Sequence, residues 1–156
     1  MFRLDSEQAL IDAFRPKDRH ALELPQGLSF PTAVRDCLTW VHPAGGRAYV
    51  VFAVPGGAPT GIAFEVRAGA GAAVPHMCDW CHQTGSGNQV GLLTAAVDSK
   101  RRVGVNVCSD LSCPRKLEDE ANRMGASVVP AMEKLVARIG RFANEALNID
   151  LSGAGR

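Results

Sequence analysis

Two short stretches decide the fold of this chain: HMCDWCH at residues 76–82 and VCSDLSCPRK at residues 107–116. They carry two cysteine pairs, Cys78/Cys81 and Cys108/Cys113, which are four of the five cysteines in the sequence. Short pairs of this kind let two loops supply two thiolates each to a tetrahedral Zn²⁺, which takes sulfur at about 2.3 Å. One structural zinc is therefore the expected cofactor, held by Cys78, Cys81, Cys108 and Cys113. Four thiolates close the coordination shell and leave no open position for a substrate. The expectation is a binding module, not an enzyme, with no small-molecule substrate.

Working outward, Gln89–Val97 (QVGLLTAAV) and Arg102–Val107 (RVGVNV) read as strands either side of a turn at Asp98–Arg101. The order is then knuckle, hairpin, knuckle, helix, the layout of a treble clef. Cys113 falls near the first turn of the helix that follows, whose free amides favour a thiolate. Rival readings of the same letters fare worse. Cys78-Asp-Trp-Cys81-His82 matches the C-x-x-C-H of c-type haem attachment, but that needs an exported chain and leaves Cys108 and Cys113 without a role. A thioredoxin-like redox pair wants a βαβ context that is absent. His76 and His82 flank the knuckle and could substitute as ligands, hydrogen-bond a sulfur, or face solvent.

The bulk numbers suit one soluble domain: 156 residues, 46% hydrophobic, 21% charged, net charge +1. Near-neutral charge gives no global pull toward nucleic acid or anionic membrane, so any basic patch is local. No run approaches the roughly 18 apolar residues of a membrane span. The first residues, MFRLDSEQALIDAF, lack a signal-peptide core, so a cytoplasmic location is expected. A reducing compartment favours metal over disulfides, and the odd fifth cysteine, Cys37, is expected to be a buried small side chain.

Upstream, Asp5 or Ser6 can cap a short helix with Leu10, Ile11 and Phe14 on one face, stopped at Pro16. Residues 17–46 read as irregular, with a short helix possible around Thr32–Leu38. Arg47–Pro55 and Thr60–Arg67 read as a first β-hairpin, followed by a Gly/Ala loop at 68–73. A Gly/Ser stretch spans 84–88. A helix is expected from Pro114 to Met124 with Gly125 as its stop. A second starts near Pro130, with Met132, Leu135, Val136, Ile139, Phe142, Ala146 and Leu147 at helical spacing and Lys134, Arg138 and Arg141 off that stripe. The fold class read from these elements is α+β: an antiparallel sheet of two hairpins, a treble-clef zinc finger and C-terminal helices. The expected organisation is an N-terminal helix and irregular segment (1–34) packed on a zinc-finger domain (35–150), then a frayed tail (151–156).

The letters between and around the cysteines narrow this. HMCDWCH, NQVGLLTAAVDSKRRVGVNVCSDLSCPRKLED and KLVARIGRF resemble the treble-clef zinc finger of the FusB/FusC-type elongation factor G-binding proteins. DCLTWVHP and the RAYVVFAV…GIAFEVR hairpin are similar to the short, single-domain members of that family. The resemblance implies a structural zinc on the four cysteines. It also implies that the partner is elongation factor G, which the founding members help release from ribosomes stalled by fusidic acid. Contact there runs through the zinc-finger domain and includes aromatic and basic side chains. By motif these are Trp80 (which could instead pack over the knuckle), Arg115 and Lys116. The founders also carry an N-terminal helical domain, whereas here one short helix precedes the first hairpin, so drug resistance does not follow from the resemblance. Lys100, Arg101 and Arg102 at the hairpin tip, with Arg115, Lys116 and Arg123, form either a solvated face or a positive patch suited to ribosomal RNA or an acidic surface. The alternative function is accordingly an RNA- or ribosome-binding zinc module.

Overall fold

The computed structural model describes residues 1–66, 75–85 and 89–152. The Gly/Ala loop at 68–73, residues 86–88 of the Gly/Ser stretch and residues 153–156 of the tail lie outside the described residues.

The chain opens with a short strand, β1 (Phe2–Leu4), and two short helices, α1 (Glu7–Asp12) and α2 (Pro16–Arg19). Ser6 caps α1, its hydroxyl accepting from the Ala9 amide at 3.1 Å. The first helix ends at Asp12, short of the stop expected at Pro16; Pro16 instead opens the next helix, where its fixed φ suits the first turn. Strand β2 (Thr32–Val34) pairs with β1, and β3 (Cys37–Val41) pairs with β4 (Arg47–Phe52). The helix expected at Thr32–Leu38 is therefore two strands. β-branched Val34, Thr39 and Val41 favour extended backbone, and Trp40 stacks on its cross-strand neighbour Tyr49 at 5.2 Å.

Strand β5 (Thr60–Val66) returns antiparallel to β4. The small hairpin β6 (His76–Met77) and β7 (Thr84–Gly85) carries the first knuckle. Strands β8 (Val90–Ala96) and β9 (Arg102–Cys108) form the second long hairpin. It joins the first through Glu65↔Thr94 and Val66↔Leu93, giving one five-stranded antiparallel sheet in the order β3-β4-β5-β8-β9. Helices α3 (Cys113–Met124) and α4 (Val129–Arg141) follow. Gly125 stops α3 at φ 65°, a left-handed conformation that glycine adopts without cost. After Arg141 one π-type turn (Phe142–Ala146) widens the helix; Ala143 stays buried four residues after Ile139, while Ala146 is only half-buried. Met132, Leu135, Val136, Ile139 and Leu147 of the expected stripe are buried.

One face of the sheet is covered throughout its centre, and the other is covered over β3, β4 and β5. On one, Ala48, Val50, Phe52, Ile62, Phe64 and Leu93 pack with α4 and the cysteines. On the other, Tyr49 and Val51 pack with Leu4, Leu10, Phe14 and Val34 from the N-terminal segment. Polar pins hold that second layer. The Tyr49 hydroxyl donates to the Ala21 carbonyl at 2.9 Å and Trp40 Nε1 to the Glu23 carbonyl at 2.7 Å. Gly61 lets the layer approach: a Cβ there would stand 2.6 Å from the Phe14 ring, and the Gly61 amide donates to Ala13 O at 2.8 Å.

Candidate metal centre

The four cysteines converge from three elements at one end of the β8–β9 hairpin. Cys78 and Cys81 sit on the turn between β6 and β7. That turn is closed by the Cys78 amide on Gln83 O (2.9 Å) and the His82 amide on Cys78 O (2.8 Å), with His82 at φ 63°. Cys108 is the last residue of β9 and Cys113 the first of α3. The connection between them is tight. Leu111, at φ 54°, is buried, its amide donates to Cys108 O at 2.9 Å, and Asp110 Oδ1 accepts from the Ser112 amide at 3.1 Å. The Asp79 amide on Asn106 O (2.8 Å) and the Ser109 amide on Gln89 O (2.9 Å) lock the two knuckles to the hairpin.

All four sulfurs are buried and lie within 4.8 Å of one another. Cys78 Sγ to Cys113 Sγ and Cys81 Sγ to Cys108 Sγ are each 3.6 Å. A regular tetrahedron of sulfurs at about 2.3 Å from a central Zn²⁺ has edges of about 3.8 Å, so the residues fit the ion. Four thiols this close cannot all ionise unaided. Hydrogen bonds from Cys108 and then Cys113 hold Cys78 well below the usual thiol range, and the one from Cys113 holds Cys108 down. The Cys108 partnership pushes Cys81 and Cys113 far up. A divalent cation would stabilise all four as thiolates at once.

The neighbours complete the setting. Backbone amides of Trp80 and Cys81 each donate to Cys78 Sγ at 3.4 Å. Lys116 Nζ reaches Cys108 Sγ at 3.2 Å. Partial burial pulls that ammonium down, but the sulfur hydrogen bond and the nearby sulfur charges raise it on balance. Lys116 thus faces the metal centre from the end of the first turn of α3, its charge directed inward.

Trp80 is also turned inward. Its side chain is only 3% exposed and stands edge-on to Phe64 (5.7 Å) and Phe142 (6.0 Å), in the core beneath the knuckle. A ring this buried offers a partner no surface, so its expected place at the contact surface is corrected to a core position. Arg115 is exposed, its side chain at 71%, with Asp110 at 4.0 Å. Arg101 and Arg102 lie at the far end of β9, Arg101 exposed beside Asp98 and Arg102 folded back on Thr94. They are not part of the metal centre. His76 and His82 are exposed, and Cys37 is half-buried on β3, its thiol pushed up to about 12 by burial and then by Asp36. Among the described residues, the four cysteines are the group able to hold a metal.

Two supporting residues were not identified from the sequence. Arg138 Nη1 donates to the Trp80 carbonyl at 2.7 Å, tying α4 to the knuckle. Gln83 Nε2 donates to Glu120 Oε2 at 2.9 Å and to Lys116 O at 3.3 Å, tying the knuckle to α3. The border position of Arg138 beside the α4 stripe was its one visible hint.

Comparison with known proteins agrees with this geometry. The model of a family described as FBP C-terminal treble-clef zinc-finger matches residues 7–148. No curated protein matches the chain.

Proposed function

This chain belongs to the FBP C-terminal treble-clef zinc-finger family, and from that premise we propose that it is a zinc-stapled binding module that docks on translation elongation factor G. Binding would shift the factor's release from the ribosome without any catalytic step. The observation that carries the reading is the closed four-sulfur centre inside the sequence pattern of that family. Four thiolates bind the metal for structure and leave no ligand position for chemistry. The docking surface is then the exposed shell of the finger. With Trp80 inside, its candidates are Arg115 on α3 and two exposed apolar side chains, Met77 on β6 (54% exposed) and Leu92 on β8 (41%). Exposed cations and exposed apolar groups are both usual components of a contact surface. Isothermal titration of the zinc-loaded protein against purified elongation factor G tests the proposal. Binding that weakens at least tenfold in Met77→Ala or Arg115→Ala supports it. No heat and no complex on gel filtration with zinc bound would sink it.

A further inference from the structure

The far end of the sheet carries a second feature. A cleft of about 690 Å³ opens between α2, the β4–β5 pair and the β8–β9 turn. That volume lies within the roughly 300–1,000 Å³ of ligand sites. Strand β9 runs from Arg102 at the cleft to Cys108 at the metal centre, so about 20 Å separates the two.

Ala21, Ala63 and Ala96 line the cleft, and their side chains are too small to fill it. Its charges do not cancel. Three acids line it, and each is already engaged. Asp18 accepts from Arg15 at 2.8 Å in a buried pair. Glu65 lies 3.6 Å from Arg102. Asp98 accepts the Lys100 and Arg101 amides at 2.8 and 2.9 Å, with the Arg101 guanidinium at 3.4 Å. Asp18 and Asp98 are matched to Arg15 and Arg101, and Glu65 is shared by Arg102 and its cross-strand neighbour Arg47, which leaves Lys17 and Lys100 in excess, beside His20. Lys17 and Arg47 are positioned by neutral carbonyls. Lys17 Nζ donates to Val97 O at 2.9 Å and Arg47 Nη1 to Ala21 O at 3.3 Å. An ammonium has three donors and a guanidinium five, so both keep donors for a ligand.

We propose that this cleft binds the phosphate of a nucleotide. Three cations contributed by α2, β4 and a hairpin turn converge on one volume, which suits an anion with several oxygens. The volume exceeds that of a bare phosphate, and the alanine surface accommodates a sugar and base. The nucleotide belongs either to a free nucleoside phosphate or to single-stranded RNA. A neighbouring hollow of about 440 Å³ over Gly45 and Gly46 shares Arg47 and Glu65 with the cleft, which extends the path beyond one nucleotide. This inference is independent of elongation factor docking.

The test uses the full zinc-loaded chain with two probes, fluorescein-labelled decauridylate and a fluorescent GTP analogue, followed by anisotropy. Binding of either probe is expected, with affinity falling steeply between 50 and 200 mM salt; engaging three phosphates of a single strand gives a log–log slope of about −2. Lys100→Glu should weaken binding at least tenfold, Arg47→Ala severalfold, and Lys134→Ala, exposed on α4 and outside the cleft, not at all. Tighter binding of decauridylate assigns the cleft to an RNA strand, and tighter binding of the GTP analogue to a free nucleotide. Absence of binding by both probes, or binding that Lys100→Glu leaves unchanged, overturns the proposal. Elongation factor G titrated against the same variants should respond to none of them, so the two readings fail separately.

Discussion

Replacing Trp80 by alanine separates a core role from a contact role for the most conspicuous aromatic in the finger. The indole is 3% exposed and meets Phe64 and Phe142 edge-on at 5.7 and 6.0 Å. A buried tryptophan removes on the order of 200 Å² from water, which at about 25 cal/mol per Å² is worth about 5 kcal/mol. Alanine retains a methyl group and the site relaxes in part, so a loss of about 4 kcal/mol is expected, inside the roughly 3–5 kcal/mol seen for such truncations. That is a large share of the roughly 5–15 kcal/mol that stabilises a whole domain. For a chain of this length it corresponds to a fall in Tm of about 8–16 °C. Thermal and urea unfolding with zinc in excess measures it, with near-UV dichroism reporting the loss of the aromatic cluster. At low temperature, where the variant is folded, its titration with elongation factor G should match the parent. A variant as stable as the parent to within about 0.5 kcal/mol, but no longer binding the factor, would refute the assignment of Trp80 to the core.

Cys108→Ser removes one of four sulfur ligands at the junction of β9 and the second knuckle. Because a structural zinc supplies on the order of 10 kcal/mol, elemental analysis should find well under one zinc per chain and the finger should unfold; full zinc occupancy would contradict the ligand set. Lys116→Gln removes the 3.2 Å hydrogen bond to Cys108 Sγ. Its effect should be a weakening of zinc affinity by about tenfold in chelator competition, at the low end for an outer partner because Lys116 is half-exposed, with the folded spectrum intact. Gly61→Ala drives a methyl group into the ring of fully buried Phe14. Urea unfolding should show a loss of about 1–3 kcal/mol, with zinc content unchanged.

The metal centre was legible because its signal is local: two short spacings, a hairpin and a helix closed by Gly125 lie within about fifty residues of chain. The same holds for Ser6 capping α1 and Gly125 ending α3, which are each decided by their own few neighbours. Strand β3 was not legible in that way. Cys37–Val41 owes its extended form to pairing with Ala48–Phe52 and to the Trp40–Tyr49 stack, neither of which a window on Thr32–Leu38 contains. The direction Trp80 faces was equally hidden, since it depends on Phe64 and Phe142, which enter from a different strand and from beyond α4. Ala143 lies on the same 3.6-residue stripe, four residues after Ile139 and four before Leu147, whereas the half-exposure of Ala146 follows from one widened turn that a uniform period does not describe.

Strand β4 has a bearing on how this protein can vary. From Ala48 to Phe52, none of its five residues is more than 1% exposed. Alternate side chains belong to the metal-side cluster and to the N-terminal cluster. A substitution there has no solvent face on which to be neutral, and enlarging one side chain presses on its own cluster while shifting a backbone that the other shares. The two clusters are thereby coupled in their tolerance of change. Packing alone leaves the hairpin tips and the outer faces of α3 and α4 open to drift, but a new N-terminal layer could be accepted only together with adjustments on the side that holds the cysteines.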